Sequence, residues 1–254
     1  FYIVDAKTLY YENSAVVGAN LSGLTILNEQ YGLVTGDGIR RIDLKSLNNV
    51  RIKNERLLCF YNSIIYNGKV LSNDTYKDES KVKYYDVNEL IAAKEGEAPA
   101  VTELDIIQKQ KINFVLAKDG NVYTLESADN GCNIVKIKND FTLEKVFANF
   151  QPAKGPYHSS PTIGMVASET ENIIYLVSTD GAIYKYILGD SDSLKAPFIA
   201  AESGVSITAP LQLNQQSGEL YVTYTEERKD ESKIVVYSKD GKVLHTVDCG
   251  ESVP

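Results

Sequence analysis

Hydrophobic and polar positions along this chain alternate over short runs, and turn residues cut the runs apart. Residues 172–188, NIIYLVSTDGAIYKYIL, hold two apolar and β-branched runs split by Asp180-Gly181. Residues 112–127 (INFVLAKDGNVYTLES) do the same around Asp119-Gly120, and residues 234–248 (IVVYSKDGKVLHTVD) around Asp240-Gly241. Asp-Gly accepts the positive φ that tight hairpins require, so each pair predicts two antiparallel strands joined by a turn.

A longer period overlies these hairpins. FYIVDAKTL, IRRIDLKSL, VKYYDVNEL, IVKIKNDFTL, IYKYILGDSDSL and IVVYSKDGKVL each run from a β-like stretch through a polar turn to a leucine. Those leucines are Leu9, Leu47, Leu90, Leu143, Leu194 and Leu244, spaced 38, 43, 53, 51 and 50 residues apart. Such spacings fit four-stranded propeller blades, whose repeats run to about 40–50 residues. The pattern therefore predicts an all-β fold: a β-propeller of four-stranded antiparallel blades, six in number, or seven if a further blade lies upstream. The expected domain is a single propeller over residues 1–254.

Within each blade the strands are named A to D from the inside outwards. The fourth blade is expected at 112–118, 121–127, 133–138 and 143–149; the fifth at 161–168, 172–178, 182–188 and 196–201. The sixth is expected at 207–213, 218–225, 233–238 and 243–248. The first copy supplies only strands C and D (1–9 and 13–19), so trimmed chain ends are expected. One segment departs from β: in DVNELIAAKEGEAP (86–99), Asp86 suits an N-cap, with Glu89 at the third helical position and Pro99 beyond. It predicts a short helix near 87–95, inserted between strands C and D of the third blade.

Composition narrows the function classes. The net charge is −8, and an acidic surface repels phosphate backbones and anionic bilayers, so neither nucleic acid nor membrane is expected as a partner. No apolar run reaches the length of a membrane span. Cys59, Cys132 and Cys249 are far apart and odd in number, which is neither a zinc site nor a disulfide framework; each is expected to be a small buried residue. The aromatic surface is tyrosine, with 17 Tyr and no Trp.

The segments YLVSTDGAIYKY, VLAKDGNVYTLE and IVVYSKDGKVLHTVDCG resemble propellers of the pyrroloquinoline-quinone-type and YVTN-type repeats. The last hundred residues are similar to uncharacterised propeller domains of bacterial cell-surface lipoproteins. The resemblance implies a propeller in an exported bacterial protein, periplasmic or at the cell surface. Cofactor-binding members of the quinone type carry a Trp-rich ring; this chain has no Trp, so no quinone and no other cofactor is expected.

Family geometry places the D-to-A connectors and the B-to-C turns at the channel mouth. The longest polar connector is QPAKGPYHSSP (151–161), which puts Tyr157, His158, Ser159 and Ser160 there as candidate ligand-binding residues, with Lys111 near the start of another strand A. His158 and Ser159 suggest nucleophilic catalysis, but neighbours on an extended chain point to opposite faces and no Gly-x-Ser-x-Gly elbow is present. The B-to-C turns include NDTYKDES (73–80), Thr179-Asp180-Gly181 and EERKDES (226–232); the matching charged runs at 77–80 and 229–232 read as solvated tips. Asp190 and Asp192 lack the downstream Gly and Glu of a calcium loop and read as an Asx turn. His245 falls in an outer strand and is expected to be exposed. No catalytic residue and no metal ligand is assigned.

The expected function is therefore a non-catalytic binding module, a monomer whose partner is a glycan, a peptide or a protein. The alternative is a six-bladed propeller enzyme, such as a metal-dependent lactonase or lyase. That chemistry needs carboxylates or imidazoles converging from the starts of strands A, where Ser22, Gly23, Arg56, Gln110, Lys111, Ser160 and Ser206 stand instead.

Overall fold

Strand after strand pairs with its immediate neighbour in the sequence, as hairpin chemistry requires. The computed structural model describes residues 2–4, 11–14, 23–36, 38–53, 63–73, 80–97, 99–108, 114–151, 164–208, 210–226 and 231–251. The chain divides into two compact units, Phe1–Lys109 and Gln110–Pro254.

The first unit starts with an antiparallel pair, β1 (Tyr2–Val4) and β2 (Tyr11–Ser14). A four-stranded meander follows: β3 (Gly23–Ile26), β4 (Tyr31–Gly36), β5 (Gly38–Asp43) and β6 (Asn49–Lys53). The next sheet has β7 (Ile64–Tyr66), β8 (Lys69–Asn73), β9 (Ser80–Asp86) and β10 (Thr102–Gln108) in the same order. Helix α1 (Val87–Ala92) lies between β9 and β10, where a helix was expected, and ends sooner. Asp86 caps it, its carboxylate accepting from the Asn88 and Glu89 N–H groups at 2.8 and 3.1 Å. The Glu89 carboxylate takes the Ala100 N–H at 3.2 Å and so ties the helix to the returning chain. Leu90 drops from α1 into a core with Leu33, Ile39, Ile52, Val70 and Tyr85.

The second unit begins with β11 (Val115–Leu116), β12 (Val122–Ala128), β13 (Gly131–Ile137) and β14 (Leu143–Phe150), close to the predicted fourth blade. Next come β15 (Met165–Ala167), β16 (Ile173–Val177) and β17 (Ile183–Ile187). The expected fourth strand at 196–201 is reduced to one bridge, Ile183 to Ile199. A 3-10 turn over Ser191–Leu194 uses part of the available chain, and Pro197 has no N–H to give a ladder. The last sheet holds β18 (Val205–Ile207), β19 (Gln212–Leu213), β20 (Leu220–Glu226), β21 (Glu231–Tyr237) and β22 (Val243–Glu251). Here the expected inner strand is split in two around Pro210, for the same reason.

Strand β16 shows what holds this unit together. All five of its residues are buried. Side chains alternate across a strand, so Ile174 and Leu176 enter one core, with Tyr123, Leu125, Ile134 and Phe150, while Ile173, Tyr175 and Val177 enter another, with Leu220, Val222 and Val235. A continuous apolar run such as IIYLV is the mark of a strand covered on both faces. Each fully buried Leu or Ile contributes about 1.5–3 kcal/mol.

The three Asp-Gly turns form as expected, with φ of +75° at Gly120, +83° at Gly181 and +79° at Gly241. The cysteines depart from expectation. Cys132 is buried, but Cys249 is exposed, because the last strand β22 is open to solvent on both faces from Val243 to Gly250. Cys59 lies outside the described residues. His245, also on β22, is exposed as expected.

Candidate functional site

The connector singled out in the sequence leaves β14 at Gln151, and the structure describes a cleft at that point. The cleft measures about 290 Å³ and lies between the end of β14, the β16–β17 turn and Leu194; Phe147, Asn149, Phe150, Gln151, Thr179 and Tyr184 are among its lining residues. The candidate residues Tyr157, His158, Ser159, Ser160 and Lys111 lie outside the described residues, as do most of the charged tips at 73–80 and 226–232.

A β-bulge shapes the first wall. Ile134 pairs with Phe147 and Cys132 with Phe150, so Ala148 and Asn149 together face the single residue Asn133. The extra residue bends the strand and re-aims the side chains beyond it. Asn149 takes up the distortion at φ +62°, a conformation that Asn adopts more readily than most residues. Phe150 turns inward to 6% exposure, edge-on to Tyr184 at 5.8 Å between ring centres.

Close approach fixes the next residue. Gly131 has φ +122°, and a β-carbon there would lie 2.5 Å from the Phe150 carbonyl oxygen and run into the Gln151 side chain. With only hydrogen in that place, Gln151 Nε2 donates to the Asn130 carbonyl at 2.6 Å. The Gln151 carbonyl accepts from Thr179 N–H at 2.9 Å, which ties the start of the connector to the β16–β17 turn.

That turn is held from within. The Ser178 hydroxyl donates to the Asp180 carboxylate, which also accepts from Ala182 N–H at 3.1 Å. These two bonds, the hydroxyl first, hold the Asp180 carboxyl below the ordinary carboxylate range. Asp180 is thus an ionised acceptor that holds the turn. Among the described residues, the Asn149 amide and the hydroxyls of Thr179 and Tyr184 make no hydrogen bond, so polar groups remain on offer beside aromatic rings.

The other candidates resolve into structure. Asp190 accepts from Asp192 N–H at 3.0 Å and caps the 3-10 turn, as an Asx turn should, while Asp192 pairs with Lys195 at 2.9 Å. Among the described residues, no three His, Cys, Asp or Glu side chains gather in a way that could hold a metal ion. Burial pushes the Cys132 thiol up to about 11, which leaves it protonated and inert. No helix among the described residues is long and apolar enough to cross a membrane.

The DUF5074 family, described as a domain of unknown function, matches residues 1–249. The chain belongs to that family. No curated protein matches the sequence. Among solved structures, this DUF5074 chain is similar to the β-propeller domain of Myceliophteria thermophila Cps50 (Swd1), at a TM-score of 0.61 and 12% identity, over 98% of this chain and 80% of that one. It is similar to virginiamycin B lyase from Staphylococcus aureus at a TM-score of 0.54 and 13% identity, over 100% of this chain and 78% of that one. Puromycin hydrolase gives a TM-score of 0.61 at 13% identity, over 94% of this chain but 39% of its own. Likeness at such identity is likeness of fold: the DUF5074 chain is a β-propeller, a scaffold shared by proteins named as enzymes and by others.

Proposed function

We propose that this chain is a non-catalytic binding module and that the cleft at the end of β14 is its ligand site. One observation carries the reading: the half-buried rings of Phe147 and Tyr184 stand beside the unengaged polar groups of Asn149 and Thr179, in a cleft of about 290 Å³. Rings of this kind stack on the apolar face of a sugar, while amides and hydroxyls bond its hydroxyl groups. A glycan is the ligand class that uses both. The cleft volume suits one sugar residue or a little more. Tyr157 and His158, six and seven residues beyond Gln151, are proposed as further contacts, joined by Ser159 and Ser160.

The state of Asp180 favours a binder over an enzyme. Among the described residues it is the one carboxylate lining the cleft, and it is committed to Ser178 and Ala182. Among the described residues, no histidine or cysteine lines the cleft with it. The setting proposed is the bacterial cell surface or periplasm. That proposal rests on the likeness of the last hundred residues to surface lipoprotein propellers and of the hairpins to PQQ-type and YVTN-type repeats. A single domain over 1–254 is likewise proposed, in keeping with the family match over residues 1–249.

A glycan array followed by titration of the best ligand tests the reading. Tyr184→Ala should weaken binding about tenfold or more, measured below the melting temperature of the variant, and Tyr157→Ala should weaken it as well. Absence of any glycan binding, or full affinity in Tyr184→Ala, would overturn it.

A further inference from the structure

A second cleft lies at the other end of β16. The five residues of that strand separate it from the first by roughly 15 Å. It measures about 130 Å³, and its walls are the turn between β15 and β16, the turn between β19 and β20, and Lys239 from the turn between β21 and β22. These turns are far apart in sequence yet held together. The Gln215 side chain accepts from Glu169 N–H at 2.8 Å and donates to the Ala167 carbonyl at 3.0 Å. Lys185 Nζ reaches the Lys239 carbonyl at 3.4 Å and sits 5.1 Å from the centre of the Phe198 ring.

Tyr175 is the unexplained group. Its residue is 2% exposed and its ring packs on Phe198 at 5.4 Å. Its side chain lines the cleft, where its hydroxyl opens to solvent and makes no hydrogen bond among the described residues. The ring is buried but the hydroxyl at its tip faces the cleft, free to donate to whatever enters it. The comparable buried tyrosine of the next sheet, Tyr224, is paired with the Tyr237 hydroxyl at 3.0 Å. Burial first, and then the charges of Glu171 and Asp240, push the Tyr175 hydroxyl up to about 12, so it stays a neutral donor.

The rim of the cleft carries one charge of each sign. The Glu171 carboxylate and the Lys239 ammonium form no ion pair with each other or with any other described residue. Opposite charges facing one small cleft without meeting leave room for a ligand that bears both complements.

We propose that this cleft is a second binding site, for a small zwitterion of the α-amino-acid type. The ligand's carboxylate meets Lys239 and takes a hydrogen bond from the Tyr175 hydroxyl, and its ammonium meets Glu171. The volume admits an amino acid with a small side chain, which would lie against Leu213. The site does not depend on the glycan reading, since it shares no residue with the first cleft.

The test is a titration of the whole chain with glycine, alanine and serine, followed by calorimetry and by backbone NMR shifts of Gly218 and Lys239. Saturable binding of at least one is expected. Tyr175→Phe keeps the ring against Phe198 and should weaken binding about tenfold while the melting temperature holds. Glu171→Gln and Lys239→Gln should each weaken it further, whereas Tyr184→Ala should leave it unchanged. Acetate and methylamine, each carrying one of the two charges, should bind at least tenfold more weakly than the amino acid. No saturable binding up to tens of millimolar, full affinity in Tyr175→Phe, or equal binding of acetate would overturn the proposal.

Discussion

Gly131 and Gln151 meet where the fourth sheet hands the chain to its connector, and the glycine exists for the glutamine's sake. At φ +122°, with the Phe150 carbonyl oxygen 2.5 Å from where a β-carbon would sit, no other residue fits. The glutamine uses that space to reach the Asn130 carbonyl. The bulge at Asn149, the inward turn of Phe150 and the exit of the connector all lie next to this close approach.

Gly131→Ala should therefore destabilise the chain by about 1–3 kcal/mol, since it adds both a forbidden backbone conformation and a clash with main chain. Denaturant unfolding measures the loss. A neutral result would mean that residues 150–151 can retreat without cost, and that the first cleft is not rigidly built.

The double-sided burial of β16 sets a contrast between two aliphatic residues. Leu176, 1% exposed, should cost about 2–5 kcal/mol as Leu176→Ala. Ile187, 43% exposed at the end of β17, should cost no more than about 0.5 kcal/mol as Ile187→Ala. Equal costs in chemical denaturation would contradict the assignment of β16 as the shared wall of two cores.

Asp119 gives a pH prediction. Burial pushes its carboxyl up, but Lys136 at 2.9 Å, the Asn121 N–H at 3.1 Å and the Tyr123 hydroxyl at 2.8 Å outweigh that and leave it lowered. A carboxyl lowered in the folded state contributes stability that is present above its unfolded value of about 3.9 and is lost as pH falls through the folded value. Asp119→Asn should thus weaken the chain at neutral pH and flatten its loss of stability below about pH 4. Carbon-detected NMR titration of Asp119 checks the direction; a midpoint above 4 would refute it.

The thiols should separate by position. Native chain treated with iodoacetamide should be alkylated at Cys249 on the exposed β22, and Cys132 should react only after unfolding. Peptide mapping by mass spectrometry reads each site, and early modification of Cys132 would show that the core of the second unit opens locally.

The sequence by itself determined what short-range chemistry decides. Asp119-Gly120, Asp180-Gly181 and Asp240-Gly241 set three turns, Asp86 set the start of a helix, and the spacing of the leucines set the repeat. Each of these is a matter of a few adjacent residues and the backbone angles they accept. It also marked the exit of the connector beyond Phe150 as a place to look for a ligand. The tertiary structure alone decided which residues meet there. The bulge at Asn149 has no turn residue to announce it, since it arises from pairing against Asn133. The splitting of IIYLV between two cores follows from which sheets lie on either side. The second cleft depends on Gln215 reaching back to Glu169 and Ala167, contacts 46 and 48 residues apart in the chain. Alternation and turn chemistry are local and can be read along the chain. Meetings between distant turns depend on the twist and stacking of whole sheets, which no short pattern encodes.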